Sequence, residues 1–467
     1  MKWGKEMAAL LHRIIEPKTQ LEESRRLFSD ADIKKLIVPL FFEQLLVMLV
    51  GIADTFMISY AGDAAVSGVS LVNMFNTIFV YLFSALASGG AVVVSQYIGS
   101  RDKEKAGRSA SQLLMIITLL GLLCMAVSLV WNRQLLGLLF GSVEPEVMEA
   151  GVTYLRISAY SFPALAIYNA GAALCRSMGK TKYTMYISVL SNIINVIGNA
   201  IGIFALHAGV AGVAYPSLIA RAFSAVVITV LCFNGRRPVS YRWKYIFRWE
   251  NEMLGRILKV AVPNGIENGL FQLIKVALSS ITALFGTAQI AANGIAQSFW
   301  SLAALMGVAM GPAFITIIGQ CMGAGDTDAA DYYMKKLVRI TLAASVLWNA
   351  LVFAVTPLIM YFYPLSQEIK TLVIWLVLIH NVFNATLFPF SGAMANGLRA
   401  AGDVKFAMIV SVSATVLCRL VLSVVLGLWL NLGVIGIALA MCSDWAARAV
   451  CVVLRYRSGK WKHFRVI

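Results

Sequence analysis

The sequence predicts an all-α integral membrane protein with about twelve transmembrane helices, arranged as two six-helix bundles that are related by an internal repeat. Two observations lead to this fold class. Hydrophobic residues make up 59% of the 467 residues and charged residues only 13%, which excludes an ordinary soluble domain. Short motifs also occur twice in the chain, and the two copies are separated by nearly the same number of residues as Glu43 and Glu267. The chain therefore consists of two similar halves.

The repeat is carried by motifs that recur in the same order in both halves. The matching pairs are Val38-Pro39-x-x-x-Glu43 and Val262-Pro263-x-x-x-Glu267, Gly62 and Gly286, Gln96-x-x-Gly99-x-x-Asp102 and Gln320-x-x-Gly323-x-x-Asp326, Arg176-x-x-Gly179-x-x-Lys182 and Arg399-x-x-Gly402-x-x-Lys405, and Gly209-Val-Ala-Gly212 and Gly433-Val-Ile-Gly436. The spacing between partners is constant except in the motif that begins at Arg176, where it is shorter by one, so one residue was gained or lost on each side of this motif. Two like-oriented halves are typical of secondary transporters, which bind the substrate between the repeats and alternate access to it.

Apolar stretches long enough to cross a hydrocarbon layer of roughly 30 Å supply the predicted helices. They run at approximately 36–60, 69–98, 109–131, 150–176, 183–206, 209–233, 257–285, 289–319, 337–361, 369–397, 406–430 and 433–454. Several contain or adjoin a proline, which lacks a backbone donor and is expected to kink its helix.

Lysine and arginine alternate between the connections. The N-terminal segment, the loop from Arg101 to Arg108, the central linker and the C-terminal tail are basic, whereas the other connections hold little beyond Arg133 and Lys370. By the positive-inside rule, both termini are cytoplasmic in a multi-pass protein of the cell membrane. The net charge of +16 is therefore a signal of topology. Nucleic-acid binding is the weaker interpretation, because the basic residues lie at helix ends and form no single patch.

These features divide the chain into five parts. They are an N-terminal cytoplasmic segment (1–35), a first bundle with helices 1–6 (36–233), a cytoplasmic linker (234–256), a second bundle with helices 7–12 (257–454) and a basic cytoplasmic tail (455–467). We expect the protein to work as a monomer in the lipid bilayer.

Carboxylates inside membrane helices are costly and are therefore candidates for function. In the first helix, Glu43 and Asp54 are eleven residues apart, about 1100° of helical rotation, so both face the same side. Asn195 and Asn199 lie one turn apart in the fifth helix and, with Ser217 of the sixth, offer oxygen ligands beside Asp54. Such hard oxygens suit a small cation such as Na⁺, and the carboxylate alone suits a proton. The structural alternatives are that Asp54 locks a helix break and that the amides join helices.

A polar stripe follows the seventh helix. Asn264, Asn268, Gln272 and Lys275 succeed one another at steps of four, four and three residues, with Glu267 beside them. This spacing places them on one face, which we expect to line a substrate cavity or proton relay between the halves. For Lys275, a structural salt bridge to another buried acid is favoured over a transport role.

The repeat makes Glu43 and Glu267 equivalent. We expect each acid to face the central cavity, where it binds a cationic substrate or relays protons. The alternative is that each secures the cytoplasmic end of its bundle. Arg419 and Asp444 lie near the middle of adjacent antiparallel helices, and a structural ion pair between them is favoured.

Enzymatic and ATP-driven mechanisms find no support in the sequence. It contains no P-loop, dinucleotide fingerprint, metalloprotease helix or nucleophile elbow. The seven cysteines lack metal-ligand spacing, and the four histidines are scattered. We therefore expect a transporter with no catalytic residue, no cofactor and no metal other than Na⁺ at Asp54. A gradient of Na⁺ or H⁺ is expected to drive it.

The chain resembles the multidrug and toxic compound extrusion (MATE) family over nearly its whole length. The motifs that carry the resemblance are Pro39-Leu-Phe-Phe-Glu43-Gln44, Gly51-Ile-Ala-Asp54-Thr55, Gln96-x-x-Gly99, Asn195-x-x-x-Asn199, Gly209-Val-Ala-Gly212 and Asp444-Trp-Ala-Ala-Arg448. The resemblance implies two bundles that form a V and the export of amphipathic, often cationic compounds in exchange for Na⁺ or H⁺. It also implies an ion or proton site at Asp54, with Asn195, Asn199 and Ser217 as partners.

The second bundle departs from the family pattern. Some relatives carry an acid in the seventh helix where this chain has Phe271, and another in the tenth helix, where this chain has no acid near Pro389. Glu267 is the available substitute for the first. A flippase for lipid-linked saccharides or lipids, from the same superfamily, is the alternative function. Such proteins usually have more helices and a more cationic cavity, and Lys275 is the feature that favours this alternative.

Overall fold

The computed structural model describes residues 15–17, 21–141 and 144–467, and the side chains of all of these except residues 139 and 140. Within these ranges the chain is helical and contains no strand, so the all-α fold class is confirmed. The expected N-terminal segment 1–35 is described only at residues 15–17 and from residue 21 onward.

The first half contains nine α-helices among the described residues. They are α1 (Asp30–Ile58), α2 (Asp63–Gly99), α3 (Lys103–Val130), α4 (Asn132–Phe140), α5 (Pro145–Ala159), α6 (Phe162–Ser177), α7 (Thr181–Ala200), α8 (Ala211–Phe233) and the short α9 (Trp243–Ile246). A 3-10 turn precedes α1 at Glu23–Arg25 and another follows it at Ser59–Ala61, and a π turn follows α7 at Ile201–Ala205.

The second half contains seven α-helices among the described residues. They are α10 (Asn251–Thr282), α11 (Thr287–Gly323), α12 (Thr327–Phe362), α13 (Gln367–Phe388), α14 (Ala395–Ala401), α15 (Val404–Ala414) and α16 (Gly433–Arg457). Three π turns connect them, at Pro389–Met394, Thr415–Val421 and Val424–Trp429, and 3-10 turns lie at Ala283–Phe285 and Lys460–His463.

Eleven helical segments of the described chain are long and apolar enough to cross a membrane. The remaining predicted span, 150–176, is divided into α5 and α6, which have 15 and 16 residues, by a break at Tyr160 and Ser161. Pro163 lies in the first turn of α6, where its missing backbone donor costs nothing. A new helix therefore begins at this point, and the fourth predicted helix is present as two shorter ones.

The turn after the first helix of each half depends on a glycine. Gly62 and Gly286 follow the 3-10 turns at Ser59–Ala61 and Ala283–Phe285 and have φ values of 99° and 88°. A residue with a Cβ atom rarely adopts such angles. The helices that follow, α2 and α11, each have 37 residues. The turn and the length of the next helix are thus repeated together with the sequence.

The chain forms two compact units. The first unit consists of the described residues between 34 and 265 together with residue 467, and the second unit consists of the described residues up to 33 and residues 266–466. Helix α10 therefore contributes its first part, up to Gly265, to the first unit, and its second part to the second unit. The described residues before Lys34 belong to the second unit as well.

The N-terminal segment, defined here as residues 15–17 and 21–33, packs on α12 in the second unit. Arg25 NH2 lies 2.5 Å from Oδ1 of Asp326, the residue that caps α12. Lys336 Nζ lies 2.7 Å from Glu16 Oε2 and 2.7 Å from Asp30 Oδ1. Since the lysine side chain is only 4% exposed, these two acids provide its countercharge.

An apolar core lies among α11, α12, α13 and α16 of the second unit. On α11 the alanines Ala292, Ala296 and Ala303 are completely buried, and Phe299 and Trp300 fill the space beside them. Small side chains of this kind let membrane helices approach closely, and the aromatic rings supply most of the contact area.

One of the two single-residue differences between the repeats, the one that follows Lys182, coincides with a π turn. The spacing from Lys182 to Lys405 is shorter by one than that from Gly209 to Gly433, so the second half has gained a residue in this stretch. The π turn Thr415–Val421 lies there, whereas the matching part of α7 is α-helical. A π turn holds more residues than an α turn because its hydrogen bonds run from i to i+5. The added residue is therefore accommodated without ending the helix.

Candidate functional site

Small residues bring α7 and α8 into close contact in the first unit. A Cβ atom on Gly198 would lie 2.6 Å from Cβ of Pro216, and one on Gly202 would lie 2.7 Å from Cα of Gly212. Because real Cβ atoms do not come so close, larger residues at these positions would push the helices apart. The contact sets the distance between the polar side chains on α7 and those on α8.

The four residues predicted for the ion site lie together. Asn199 donates from Nδ2 to Asp54 Oδ1 at 2.6 Å and to Asn195 Oδ1 at 3.2 Å. Asn195 donates in turn to Ser217 Oγ at 2.8 Å. Both amides are buried, at 6% and 0% exposure. A continuous chain of hydrogen bonds thus links Asp54 of α1 to α7 and α8.

Asp54 has no countercharge in direct contact. In the part of the chain that the structure describes, Asn199 is its one hydrogen-bond donor, and it forms no ion pair. Arg221 of α8, one turn beyond Ser217, acts on Asp54 electrostatically but donates its own hydrogen bond to Ser161 Oγ at 2.7 Å. A half-buried carboxylate without an ion pair gains from a bound proton or cation.

The oxygen atoms of this site fit a small cation as well as a proton. Asn199 Oδ1 is buried and accepts no hydrogen bond from the described residues. Asp54 also keeps an oxygen that accepts no hydrogen bond from the described residues, and Asn195 Oδ1 and Ser217 Oγ each keep a second lone pair. Na⁺ would use several of these oxygens, whereas a proton requires only Asp54.

The predicted polar stripe of α10 is divided between the two units. Asn264 belongs to the first unit, where it is buried and its Oδ1 has no partner among the described residues. Asn268, Gln272 and Lys275 belong to the second unit; the first two are half-buried and the lysine is exposed. Within the described ranges, none of the four side chains forms a hydrogen bond. Their polar groups are thus not used by the fold of either unit.

Glu43 is bound by polar side chains of the first unit. It is 3% exposed, and its carboxylate accepts hydrogen bonds from Arg176 NH2 at 2.6 Å, Thr184 Oγ1 at 3.0 Å and Tyr168 OH at 3.2 Å. These contacts join α1 to α6 and α7. The arrangement favours the alternative in which this acid secures its bundle.

Glu267 is bound in the same way in the second unit. Its carboxylate accepts hydrogen bonds from Arg399 NH2 at 2.5 Å and from Ser411 Oγ at 2.6 Å. Arg176 and Arg399 mark the repeat in the sequence, but their pairing with the two acids was not predicted. The available signal was that acid and arginine recur together in both halves, at spacings that differ by only one.

The expected ion pair between Arg419 and Asp444 is confirmed, and it has a third member. Arg419 Nε donates to Asp444 Oδ2 at 2.9 Å, and Arg448 Nε donates to Asp444 Oδ1 at 2.7 Å. Asp444 is completely buried. One buried carboxylate is therefore shared by two guanidinium groups.

The expectation that Lys275 forms a salt bridge is wrong. Its ammonium group has no acidic partner among the described residues. Glu267, two turns before Lys275 on α10, already binds Arg399. Asp444, the acid that binds the neighbouring Arg419, is already shared by two arginines. Within the described ranges, no group of three His, Cys, Asp or Glu side chains is arranged to hold a metal.

Comparison with known proteins identifies relatives of the whole chain. The model of the MatE family matches residues 39–201 and again residues 263–425, at the same spacing as Pro39 and Pro263. The uncharacterized transporter YisQ of Bacillus subtilis is 27% identical, over 91% of this chain and 93% of its own. The probable multidrug resistance protein NorM of Thermotoga maritima is 24% identical, over 97% and 96%. Multidrug and toxin extrusion protein 1 of Homo sapiens is 23% identical, over 89% and 71%.

Solved structures share the fold. An outward-facing multidrug resistance MATE family transporter of the MOP superfamily has a TM-score of 0.87 at 21% identity, covering 96% of this chain and 100% of its own. A structure of MATE in the straight conformation has a TM-score of 0.85 at 21% identity, covering 93% and 97%. Since the family model matches both halves and covers most of the chain, this protein belongs to the MatE family of membrane transporters and is not an enzyme.

Proposed function

We propose that this protein exports small amphipathic organic compounds, cationic ones among them, in exchange for Na⁺ or H⁺. The names of two relatives, a probable multidrug resistance protein and a multidrug and toxin extrusion protein, support the substrate class. The observation that carries the coupling mechanism is the carboxylate of Asp54, which has an amide donor but no ion pair among the described residues.

Asp54 would couple export of the substrate to entry of Na⁺ or H⁺ through its negative charge. An ionised, unpaired carboxylate in a membrane helix costs several kcal/mol, and a bound proton or Na⁺ removes most of this cost. Because Asn199 links Asp54 to α7, and Asn195 extends the link to Ser217 of α8, loading of the acid alters the contacts of α1 with both helices. Ion and substrate then exchange because they favour different arrangements of the first unit.

Transport in proteoliposomes tests this proposal. Efflux of a cationic dye is measured while a pH gradient and a Na⁺ gradient are imposed separately. We expect Asp54→Asn, which keeps the shape and removes the charge, to abolish gradient-driven efflux while some dye binding remains. Asp63→Asn is the matched control, because Asp63 is an exposed acid nine residues farther on. Wild-type efflux by Asp54→Asn under both gradients would place the coupling site elsewhere, with Glu267 as the first alternative.

We further propose that both termini and the loop between the halves are cytoplasmic. The alternation of basic connections supports this orientation. Arg236 is exposed in the loop that follows α8. In intact cells, Arg236→Cys should resist a membrane-impermeant thiol reagent and react only after permeabilisation, and prompt labelling from outside would reverse the topology.

A flippase for lipid-linked saccharides or lipids is the second candidate. The unpaired and exposed Lys275 favours it, because such a substrate carries phosphate groups. This function predicts transfer of a fluorescent lipid-linked saccharide between the leaflets of a vesicle, with no efflux of cationic dyes under either gradient.

A further inference from the structure

Arg419 carries hydrogen-bond donors that the fold does not use. The residue is 6% exposed, its Nε donates to Asp444, and its guanidinium lies over the ring of Phe271 with its carbon 4.8 Å from the ring centre. A guanidinium has five N–H donors. Among the described residues, the four on the terminal nitrogens have no partner, and neither nitrogen is among the unpartnered atoms that the fold seals from solvent. A buried side chain thus points free donors into an accessible space.

A second cation lies beside this group. Lys275 is one turn beyond Phe271 on α10, so it shares the helix face whose aromatic ring contacts Arg419. The two positive charges repel each other electrostatically. Arg419 and Arg448 share Asp444, and Lys275 acts on Arg419, so the group contains three cations and one acid, an excess of two positive charges.

The neighbouring acid does not offset this excess. Glu267 is held by Arg399 at 2.5 Å and by Ser411 at 2.6 Å. An excess of positive charge in membrane helices is costly, so the region gains from an added negative charge.

The corresponding positions of the first unit have the opposite character. At the spacing of the repeat, Asp54 matches Leu278, and Asn195 matches Arg419, or Cys418 if the added residue is placed later in the π turn. The position of Asp54 is thus occupied by the apolar Leu278, and that of Asn195 by Arg419 or the adjacent Cys418. The second unit cannot repeat the cation site of the first.

We propose that Arg419 and Lys275 form a site in the second unit for the anionic group of a transported molecule, a carboxylate or a phosphate. The two terminal nitrogens of a guanidinium match two oxygens of either group, and a nearby ammonium adds a third contact. The preferred substrates are then zwitterionic or anionic amphiphiles. This inference rests on the proposed function only in taking small organic molecules as the substrates.

Binding to purified protein tests the proposal without requiring transport. The protein is placed in nanodiscs of phosphatidylcholine, and its affinity is measured for rhodamine B, which has a free carboxylate, and for rhodamine B ethyl ester, which lacks that negative charge. We expect the acid to bind about tenfold more tightly than the ester, as a charge-assisted contact predicts. Lys275→Met and Arg419→Met should each remove this preference and leave the affinity for the ester within about twofold of wild type.

Both variants are expected to fold. Lys275 has no partner to lose among the described residues. In Arg419→Met, Asp444 keeps Arg448 at 2.7 Å and is not left unpaired. Lys405→Met is the matched control, because Lys405 is an exposed lysine of the same unit, and this variant should keep the wild-type preference.

The outcomes separate this proposal from the proposed function. Equal binding of acid and ester by the wild type, or a preference that survives in both variants, would overturn the anion site while the ester still reported substrate binding. Binding of neither dye would count against both proposals. Dodecanoate and dodecyl phosphate, compared with dodecanol as competitors, show which anion is preferred. If dodecanol competes as well as either anion, the site is refuted.

Discussion

The carboxylate of Glu43 lies 2.6 Å from NH2 of Arg176, and the same pairing recurs between Glu267 and Arg399 at 2.5 Å. Each acid belongs to the first membrane helix of its half, and each arginine lies 132 or 133 residues farther along the chain. A contact present at the same place in both halves indicates that each half uses it to hold its first helix.

We expect Glu43→Gln to lower the free energy of unfolding by about 3 kcal/mol, because the guanidinium of Arg176 loses the negative charge with which it forms a buried ion pair. The double variant with Arg176→Met should lose less than the sum of the two single variants. Thermal unfolding in detergent measures these differences. A Glu43→Gln protein of normal stability that no longer transports would instead favour a role in substrate binding or proton relay.

Gly202→Ala should destabilise the first unit by about 1–3 kcal/mol, since the new methyl group would overlap the backbone of Gly212. The separation of α7 from α8 should also weaken the hydrogen bond between Asn195 and Ser217 and reduce efflux. Gly255→Ala is the matched control. Nothing lies within 4 Å of a Cβ atom at that position of α10, so stability should stay equal or rise by about 0.5–1 kcal/mol. Equal melting temperatures for the two variants would argue against the close helix contact.

Asn195→Ala and Asn199→Ala should weaken Na⁺ dependence more than H⁺ dependence. Na⁺ would use the amide oxygens, whereas a proton needs only the carboxylate of Asp54. The measurement is dye efflux from proteoliposomes as a function of external Na⁺ at fixed pH, and of pH without Na⁺. If both variants lose the dependence of efflux on Na⁺ and its dependence on pH to the same extent, the amides position Asp54 and do not bind the ion.

The N-terminal segment is expected to leave α12 as the pH falls. Burial raises the pKa of Asp326, but hydrogen bonds from Arg25 and from the amide of Ala329 outweigh it, and the net pKa lies below the ordinary 3.8. The pKa of Glu16 is likewise below its ordinary 4.5. Burial raises it, but hydrogen bonds from Lys336 and Tyr332 and the charge of Lys336 outweigh this effect. Lowered pKa values stabilise the docked state above the ordinary values, and this contribution is lost as the pH falls below them.

The anisotropy of a dye on Glu22→Cys, with the native cysteines replaced, reports this docking between pH 7 and pH 3. We expect high anisotropy at pH 7 and a fall below about pH 4. Lys336→Met should lower the anisotropy already at pH 7. Lys335→Met should not, because Lys335 pairs with Asp331 on its own helix. A pH-independent signal would show that the carboxylates do not hold the segment.

The repeat and the composition were sufficient to predict eleven of the twelve helices. The grouping of Asp54 with Asn195, Asn199 and Ser217 was suggested by their residue types and implied by the resemblance to the MATE family. Within a helix, spacing determines which side chains share a face, so the pair Asn195 and Asn199 was readable. Contacts between distant helices are not fixed by spacing. The partners of Glu43 and Glu267 therefore remained hidden, although their arginines had been noticed.

The absence of an acidic partner for Lys275 among the described residues could not be predicted from the sequence either. Its sequence position indicates a membrane helix, and a buried lysine usually needs an acid. Whether an acid is available depends on how many cations already share it, and the second arginine on Asp444 is visible only in three dimensions. The break between α5 and α6 was also missed, because Pro163 is compatible with both a kink and a new helix.

Residues before Lys34 and residues 251–265 each belong to the unit that is built mostly from the other half of the chain. The two halves have thus exchanged segments, in the manner of a domain swap within one polypeptide. If the chain were cut in the loop before α10, each fragment would lack a piece of its own unit and carry a piece of the other's. Neither half is a self-sufficient module, and a hybrid that joined one half to the other half of a relative would have to match both exchanged segments.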